Sequence, residues 1–293
     1  MRRHIDPYAC ESDPMRLMLA STLALCLASA AHAAAPLAAP SEPAGVAPAA
    51  RTGTGVVWPA APHKPKAVTS PGLVEPHLAL TAQPGAGPRV ALTFDACSGK
   101  TDPRILSALV DNRIPATIFA TARWLRHNPE AIAILKAHPD LFEVENHGAQ
   151  HIPAVDRPAT VYGIPAAGSP QAVAAEVTGG AEALVAAGFP KPTWFRGATA
   201  RYSPSAIVQI GTLGYRVAGY SINGDDGALA PSAMVEKRLA TAKDGSVIIA
   251  HINQPTRPAG TGIAAGILAL KARGVTFVRL MDADEVVVGK AGR

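Results

Sequence analysis

Polar side chains suited to acid–base or metal chemistry follow several apolar stretches of this 293-residue chain. The runs "VALTF" and "SVIIA" lead directly into Asp95 and His251. A buried strand that ends on a titratable side chain brings that group to the edge of a sheet, where it can act as a general acid or base. A turn-capping aspartate and a core histidine are the plainer interpretations of these two residues. The candidate residues at strand ends are, in chain order, Asp95, His147, His151, Arg196, Asn223, Asp225, Asp226 and His251.

The stretch "NHGAQH" places His147 and His151 four residues apart. On a helical turn, this spacing brings both imidazoles to one side, at a separation that one divalent metal ion can bridge. Two surface histidines in a loop are the plainer interpretation. Gly148 stands where zinc proteases with an H-E-x-x-H motif carry their catalytic glutamate, so that class of enzyme is excluded.

Cysteine usage leaves one thiol to consider. Of the three cysteines, Cys10 and Cys26 lie in segments that we expect the mature protein to lack, so Cys97 has no partner for an intrachain disulfide. Cys97 could act as a nucleophile with His251 as its base. A lone cysteine in an exported protein is more often inert, so the acid–base interpretation of His251 is favoured.

The elements that must position these residues alternate between strand-like and helix-like stretches, about seven times over roughly 200 residues after Pro88. Such alternation predicts an α/β fold with a mainly parallel sheet covered by helices. At this length, closure into a barrel is more natural than two dinucleotide-binding halves. No G-x-G-x-x-G follows the first strand, which further disfavours a dinucleotide-binding fold. In barrels of this kind, chemistry gathers where strands end and the following loops begin.

The N-terminal region predicts export. After Met15, one arginine and an apolar run lead to "AHA", so we expect a leader and signal peptide over residues 1–33, cleaved after Ala33. Residues 34–87 are rich in Ala and Pro and predict a disordered or extended spacer, in which "VEPHLAL" is a candidate short strand. We therefore expect a periplasmic or secreted protein with no integral membrane segment in its mature form.

The formal net charge of +5 is spread along the chain and forms no block of lysine and arginine. A nucleic-acid-binding protein would show a basic stripe or a known recognition motif. The sequence contains neither, so we expect no nucleic-acid partner.

Five stretches, in order, resemble the five motifs of the polysaccharide deacetylases, the NodB-homology enzymes of carbohydrate esterase family 4. They are "TFDAC", "HGAQH", "FRGATARY", "SINGDDG" and "SVIIAH". The resemblance covers residues 88–288 and implies a distorted (β/α) barrel of about seven parallel strands. It also implies metal-assisted removal of acetyl groups from an acetylated polysaccharide or cell-wall glycan.

The resemblance assigns roles to four residues of the acid–base machinery. Asp95 matches the catalytic base, and Arg196 matches the arginine that orients this base. His251 matches the general acid. Asp226 resembles the acid of the fourth motif that steadies the catalytic histidine.

The metal site departs from the family pattern. His147 and His151 match the two metal-binding histidines, but Ala96 stands in place of the aspartate that is normally the third ligand. We predict that Asp102 supplies this ligand to a divalent metal, most simply zinc, with Cys97 held back because a thiolate would commit the site to zinc. Asp102 could equally cap a helix that begins at Pro103.

Two further departures affect the substrate site. The third motif lacks its proline and aromatic residue after Arg196, and Gly227 replaces the tryptophan that usually closes the fourth motif. The sequence thus predicts an exported deacetylase of acetylated glycans. Two alternatives stay open: a non-catalytic glycan-binding relative that has lost a metal ligand, and a hydrolase of the same fold with a non-sugar amide substrate.

Overall fold

The computed structural model describes residues 72–81, 83, 85 and 87–283, together with the backbone of residues 286–290. The predicted leader and signal peptide, most of the predicted spacer, and both Cys10 and Cys26 lie outside the described residues. The strand suggested by "VEPHLAL" is present, as β1 (Pro76–Leu80), inside the stretch whose composition indicated a spacer.

Twelve strands and seven helices are found in the described part of the chain. After β1, the strands are β2 (Arg89–Ala96), β3 (Ala116–Ala120), β4 (Phe142–Asn146), β5 (Thr160–Val161), β6 (Ile164–Pro165), β7 (Trp194–Phe195), β8 (Arg216–Val217), β9 (Ile222–Asn223), β10 (Ser246–His251), β11 (Thr276–Val278) and β12 (Val286–Lys290). The helices are α1 (Pro103–Asp111), α2 (Ala122–His127), α3 (Pro129–Ala137), α4 (Pro170–Ala186), α5 (Pro204–Thr212), α6 (Ser232–Ala240) and α7 (Ala259–Ala272).

The sheet is mostly parallel and curves into a nearly closed barrel, which confirms the predicted fold class. Strands β10, β2, β3, β4, β7 and β8 are neighbours in that order, β9 pairs with β10, and β11 pairs with the first half of β2. The antiparallel strands β1 and β12 add to the β10 edge. A small antiparallel hairpin, formed by β5 and β6 with two residues each, lies in the connection between β4 and α4.

One predicted strand is interrupted. The stretch "YRVAGYSIN" forms β8 and β9, with a break around Gly219. A Cβ atom on Gly219 would lie 2.0 Å from the backbone oxygen of Pro76, because β1 passes directly against this point. The first half of the stretch therefore pairs with β7 and the second half with β10, which nearly closes the barrel.

Alternation along β2 separates two of the three hydrophobic clusters of the described residues. Successive side chains of a strand point to opposite faces. Val90, Leu92, Phe94 and Ala96 belong to the outer core beneath the helices. The other face lines the barrel interior, which is filled by Leu78, Leu80, Ala91, Phe119, Trp194, Ala218, Val247 and Leu280. Odd-numbered residues of β2 consequently face the interior, and Asp95 is the last of them.

None of the helices in the described ranges is long and apolar enough to cross a membrane.

Candidate active site

Asp95 and His251 occupy matching positions at the ends of neighbouring strands. β2 and β10 run parallel, and their register pairs Asp95 with His251. Both side chains therefore reach the same mouth of the barrel, where parallel strands deliver their carboxyl ends. Asp95 is buried, whereas the side chain of His251 is 18 % exposed.

A buried arginine holds the Asp95 carboxylate in place. Arg196, which is fully buried, donates from Nη1 to Asp95 Oδ1 over 3.0 Å and to Thr93 Oγ1 over 2.9 Å. The guanidinium also lies 4.3 Å from the centre of the Phe119 ring. Burial raises the pKa of Asp95, but the charges of His147, Arg196 and His251, with the hydrogen bond from Arg196, bring the pKa below its ordinary value. The carboxylate is thus ionised at neutral pH, as a general base must be.

His147 is held by its Nδ1 atom. Nδ1 lies 2.6 Å from the backbone oxygen of Arg196, and since a carbonyl oxygen only accepts, Nδ1 carries the hydrogen. In the neutral imidazole, the lone pair is then on Nε2. Nε2 lies 3.7 Å from Asp95 Oδ2 and 3.6 Å from Cys97 Sγ. Metal-binding histidines are typically oriented by such a hydrogen bond from their other nitrogen.

His151 approaches His147 from a loop. The two ring centres are 5.0 Å apart with the planes at 63°. The helical turn expected from their spacing is absent, because Gly148 and His151 have φ of 92° and 64°. The pair is nevertheless brought together, by a different backbone path.

Glu176 of α4 fixes that path. Its buried carboxylate accepts hydrogen bonds from the backbone N–H groups of Gln150 and Ile152, each over 3.0 Å. A Cβ atom at Gly148 would lie 2.3 Å from Glu176 Oε1, so a glycine is required there. Sequence reasoning missed Glu176. Its position three residues after Val173, on the buried face of α4, is the signal that could have found it.

Cys97 lies beside both histidines. The ligand atoms of Cys97, His147 and His151 all lie within 4.8 Å of one another. Burial raises the pKa of the Cys97 thiol, but hydrogen bonds with His147, His151 and His251 outweigh it and bring the pKa well below its ordinary value. These three residues form the cluster within the described ranges that could hold a metal ion.

Asp102 does not join this cluster, which corrects the prediction that it supplies the third ligand. It is the N-cap of α1, and its Oδ1 accepts from the backbone N–H of Arg104 over 3.0 Å and from Arg104 Nε over 2.9 Å. Its Oδ2 lies 2.5 Å from Arg104 Nη2. The carboxylate is buried and fully used by these partners. The structure therefore supports the helix-cap alternative that the sequence left open.

The acid that steadies His251 is Asp225, which corrects the assignment of this role to Asp226. Asp225 is fully buried, and its Oδ1 lies 3.0 Å from His251 Nδ1, while Oδ2 accepts from the His251 backbone N–H over 2.7 Å. Asp226 has φ of 52° and turns away to pair with Arg238 over 2.9 Å. Because two consecutive acids follow β9, spacing alone does not show which of them contacts His251.

The pKa values of this pair move in opposite directions. Burial lowers the pKa of His251, but the Asp225 carboxylate raises it well above its ordinary value. The pKa of Asp225 falls below its ordinary value because the charge of His251 and its hydrogen bonds outweigh burial. His251 therefore carries a proton at neutral pH and is suited to donate it.

The third motif contains an aromatic residue at a different position from the family pattern. Tyr202, fully buried and six residues after Arg196, accepts a hydrogen bond at Oη from the Gly197 N–H over 2.7 Å. Between them, Thr199 and Ala200 have φ of 70° and 51°. Because Tyr202 lies inside the domain, it offers no exposed ring for stacking on a sugar.

Sequence comparison identifies the family. Residues 82–218 match the sequence model of the family described as polysaccharide deacetylase. Among curated proteins, no sequence matches the chain.

Several solved structures share the fold. A family 4 carbohydrate esterase pseudoenzyme from Bacillus anthracis is 19 % identical, with a TM-score of 0.54, over 69 % of this chain and 66 % of its own, or about two thirds of its length. A mutant of that pseudoenzyme with restored enzymatic activity has a TM-score of 0.53 and 19 % identity over 69 % and 68 % of the two chains. The peptidoglycan deacetylase PdaC from Bacillus subtilis has a TM-score of 0.53 and 18 % identity over 69 % and 92 %.

At these identities the solved structures show the fold, whereas the family match rests on the sequence itself. The match begins before β2 and includes Asp95, both histidines and Arg196. The chain therefore contains a polysaccharide deacetylase domain, matched over residues 82–218.

Proposed function

We propose that this chain is a metal-assisted deacetylase that removes acetyl groups from an acetylated glycan. The observation that carries the proposal is the convergence of two oriented pairs on one barrel mouth. Arg196 bonds to Asp95 over 3.0 Å, and Asp225 lies 3.0 Å from His251, on neighbouring parallel strands. A base held ionised beside an acid held protonated is what hydrolysis of an amide or ester requires.

The residues present fit a divalent metal ion. His147 presents the lone pair of Nε2 toward the site, since its Nδ1 hydrogen is used by the Arg196 carbonyl. His151 and a third donor beside them complete a compact set of ligands. When bound, the ion supplies a Lewis acid that polarises the acetyl carbonyl and makes water more acidic.

Asp95 acts as the general base. Its Oδ1 is occupied by Arg196, and its Oδ2 faces the histidine cluster. The proton that it removes from the attacking water therefore goes to Oδ2. Arg196 keeps the carboxylate ionised and fixed through a charge-assisted hydrogen bond, so that Oδ2 keeps its direction during turnover.

His251 acts as the general acid. Its Nδ1 is held by Asp225, so the proton that it donates to the departing amine or alcohol comes from Nε2. The partial exposure of His251, against the full burial of Asp225, is consistent with contact between this imidazole and a substrate.

Two alternatives have their own supporting observations. Ala96 occupies the position of a metal-binding aspartate, and the solved structures with this fold include a pseudoenzyme, which favours a glycan-binding protein without turnover. The absence of an exposed aromatic residue in the third motif, and Gly227 in the fourth, favour a non-sugar amide substrate.

Acetate release from a panel of substrates separates the three functions. The protein is loaded with zinc and given acetylated chito-oligosaccharides, acetylated peptidoglycan fragments and small acetamides. We expect acetate from the glycans. Acetate from the small acetamides alone would support the amide hydrolase, and glycan binding without any acetate would support the binding protein.

We also propose that the protein is exported by cleavage after Ala33 and acts in the periplasm or outside the cell. This rests on the apolar run and the small residues before that position. The residues after the cleavage site would form a spacer that leads to β1. N-terminal sequencing of the exported protein tests it, and an intact Met1 or Met15 terminus would contradict it.

A further inference from the structure

Neither Ala96 nor Asp102 is placed to supply the third metal ligand of this site. Ala96 is fully buried, and its methyl group packs in the outer core beneath the helices, away from the barrel mouth. Asp102 is used by Arg104 at the start of α1. The pair of histidines therefore obtains a third protein donor from another residue or has none.

Cys97 lies where such a donor is needed. It directly follows Ala96, the last residue of β2, and its Sγ lies 3.6 Å from His147 Nε2 at the barrel mouth. The backbone at this point is fixed by Thr121, whose N–H donates to Ala96 O over 3.2 Å and whose hydroxyl donates to Cys97 O. The side chain of Cys97 is half-buried against the two histidines.

The separation between donors fits one tetrahedral ion. A zinc ion with ordinary Zn–S and Zn–N bond lengths and a tetrahedral angle places sulfur and nitrogen roughly 3.6 Å apart. The measured distance from Cys97 Sγ to His147 Nε2 is 3.6 Å. His151 lies within 4.8 Å of both atoms, close enough for a change of side-chain rotamer to complete the set.

Independent support comes from the orientation of His147. Its Nδ1–H is fixed by the Arg196 carbonyl over 2.6 Å, which directs Nε2 at Cys97. This is how proteins commonly orient a histidine that binds a metal. The Cys97 thiol therefore faces the His147 nitrogen that carries the lone pair.

We propose that Cys97 is the third protein ligand, so that this deacetylase site is a thiolate and two imidazoles that bind zinc in preference to magnesium or manganese. The inference concerns the same site as the proposed function and rests on it, but it is tested by binding alone. Thiolate donors favour zinc over the oxygen-seeking cations. Three protein ligands also leave the fourth position that a hydrolytic zinc site keeps for water.

Cobalt substitution tests the thiolate ligand directly. The full-length protein is stripped with a chelator and titrated with Co²⁺, and a thiolate-to-cobalt charge-transfer band is sought in the near ultraviolet. We expect the band in the parent protein and in Asp102→Asn, which keeps a good capping residue. We expect it to be absent from Cys97→Ser. A parent protein that binds cobalt without the band, or that binds no metal, overturns the proposal.

Zinc affinity provides the second readout. The zinc affinity of Cys97→Ser should fall by more than the roughly 10–100-fold that follows when a residue orienting a metal ligand is removed. Asp102→Asn should stay within a few-fold of the parent. Equal zinc affinity in Cys97→Ser and the parent would also overturn the proposal. Thermal unfolding in chelator establishes that Cys97→Ser is folded, and Cys97→Asp, which restores a carboxylate, should shift preference toward manganese.

The outcomes keep this inference separate from the deacetylase proposal. A charge-transfer band without acetate release contradicts the deacetylase and leaves the thiolate ligand in place. Acetate release without the band leaves the deacetylase in place and removes Cys97 from the metal. Alkylation of Cys97 by iodoacetamide only after zinc is removed would agree with ligation. Equal alkylation with and without bound zinc would contradict it.

Discussion

His251 Nδ1 lies 3.0 Å from Asp225 Oδ1, and the same carboxylate accepts the backbone N–H of His251 through its other oxygen. One buried acid therefore fixes both the position of the β10 terminus and the orientation of the imidazole. The neighbouring Asp226 is 40 % exposed and pairs with Arg238 instead. The separate roles of Asp225 and Asp226 can be tested by mutating each residue.

Asp225→Asn should lower the rate of acetate release on the order of 10²–10⁴-fold, because His251 loses the charge that keeps it protonated and aligned. Asp226→Asn is the matched control and should leave the rate within a few-fold of the parent, since the Asp226 carboxylate pairs with Arg238 and not with His251. The measurement is acetate released per unit time by both variants under identical zinc loading. Equal losses in the two variants would contradict the assignment of Asp225.

Asp95→Asn and His251→Ala should each abolish most turnover while zinc stays bound. Neither side chain belongs to the cluster of Cys97, His147 and His151, so its loss removes proton transfer and not a ligand. The expected loss is again on the order of 10²–10⁴-fold. Rates are measured beside zinc content per protein chain. A near-normal rate in either variant would remove that residue from the mechanism.

Asp102→Ala should destabilise the domain by about 1–2 kcal/mol, the usual effect of losing a helix N-cap. Zinc affinity should be unchanged, because the Asp102 carboxylate is bound to Arg104. Asp102→Asn retains a capping side chain and should lose less unfolding free energy. Thermal unfolding and zinc titration of both variants check this, and weakened zinc binding in both would return Asp102 to the metal site.

Ala96→Asp should not restore a carboxylate ligand. Ala96 faces the outer core, so the new side chain would place a charge among apolar groups, which is costly unless the charge is paired. We expect a lowered melting temperature and no gain in zinc affinity. A tighter zinc site in this variant would show that the end of β2 can turn inward.

The acid–base pair was predictable from the sequence because strand runs such as "SVIIAH" end on the reactive residue, and parallel strands bring their ends together. The proposed set of metal ligands was not predictable in this way. Whether Cys97 or Asp102 faces the histidines depends on the path of the loop after β2 and on the contact between Asp102 and Arg104, and spacing reveals neither. The role of Asp225 depends on which of two adjacent acids the loop buries, and the break at Gly219 depends on contact with β1.

Two buried glutamates in β4 make stability depend on pH. Glu143 and Glu145 both face the barrel interior, and Glu145 accepts from the backbone N–H groups of Thr193 and Trp194. Burial, together with the neighbouring Glu143, raises the pKa of Glu145 from its ordinary 4.5 to about 8. A group whose pKa is raised on folding contributes stability that is fully present below pH 4.5 and is lost as the pH rises toward 8.

Glu145→Gln should remove much of this loss, since the amide keeps an acceptor for both N–H groups and does not ionise. Between pH 5 and 8, we expect the variant to lose less unfolding free energy than the parent, by an amount on the order of 1–3 kcal/mol. Glu236→Gln, at an exposed position of α6, is the control. Denaturant unfolding in chelator at both pH values decides it, and parallel curves for Glu145→Gln and the parent would contradict the prediction.

Metal dependence of acetate release is the most direct test of the proposed deacetylation. The protein is stripped with a chelator, assayed on an acetylated chito-oligosaccharide, then restored with one equivalent of zinc and assayed again, with Asp95→Asn treated in the same way. We predict negligible acetate from the stripped protein, recovery with zinc, and no recovery in Asp95→Asn. Acetate release that survives chelation, or that zinc restores equally in Asp95→Asn, would contradict a metal-assisted mechanism with Asp95 as its base.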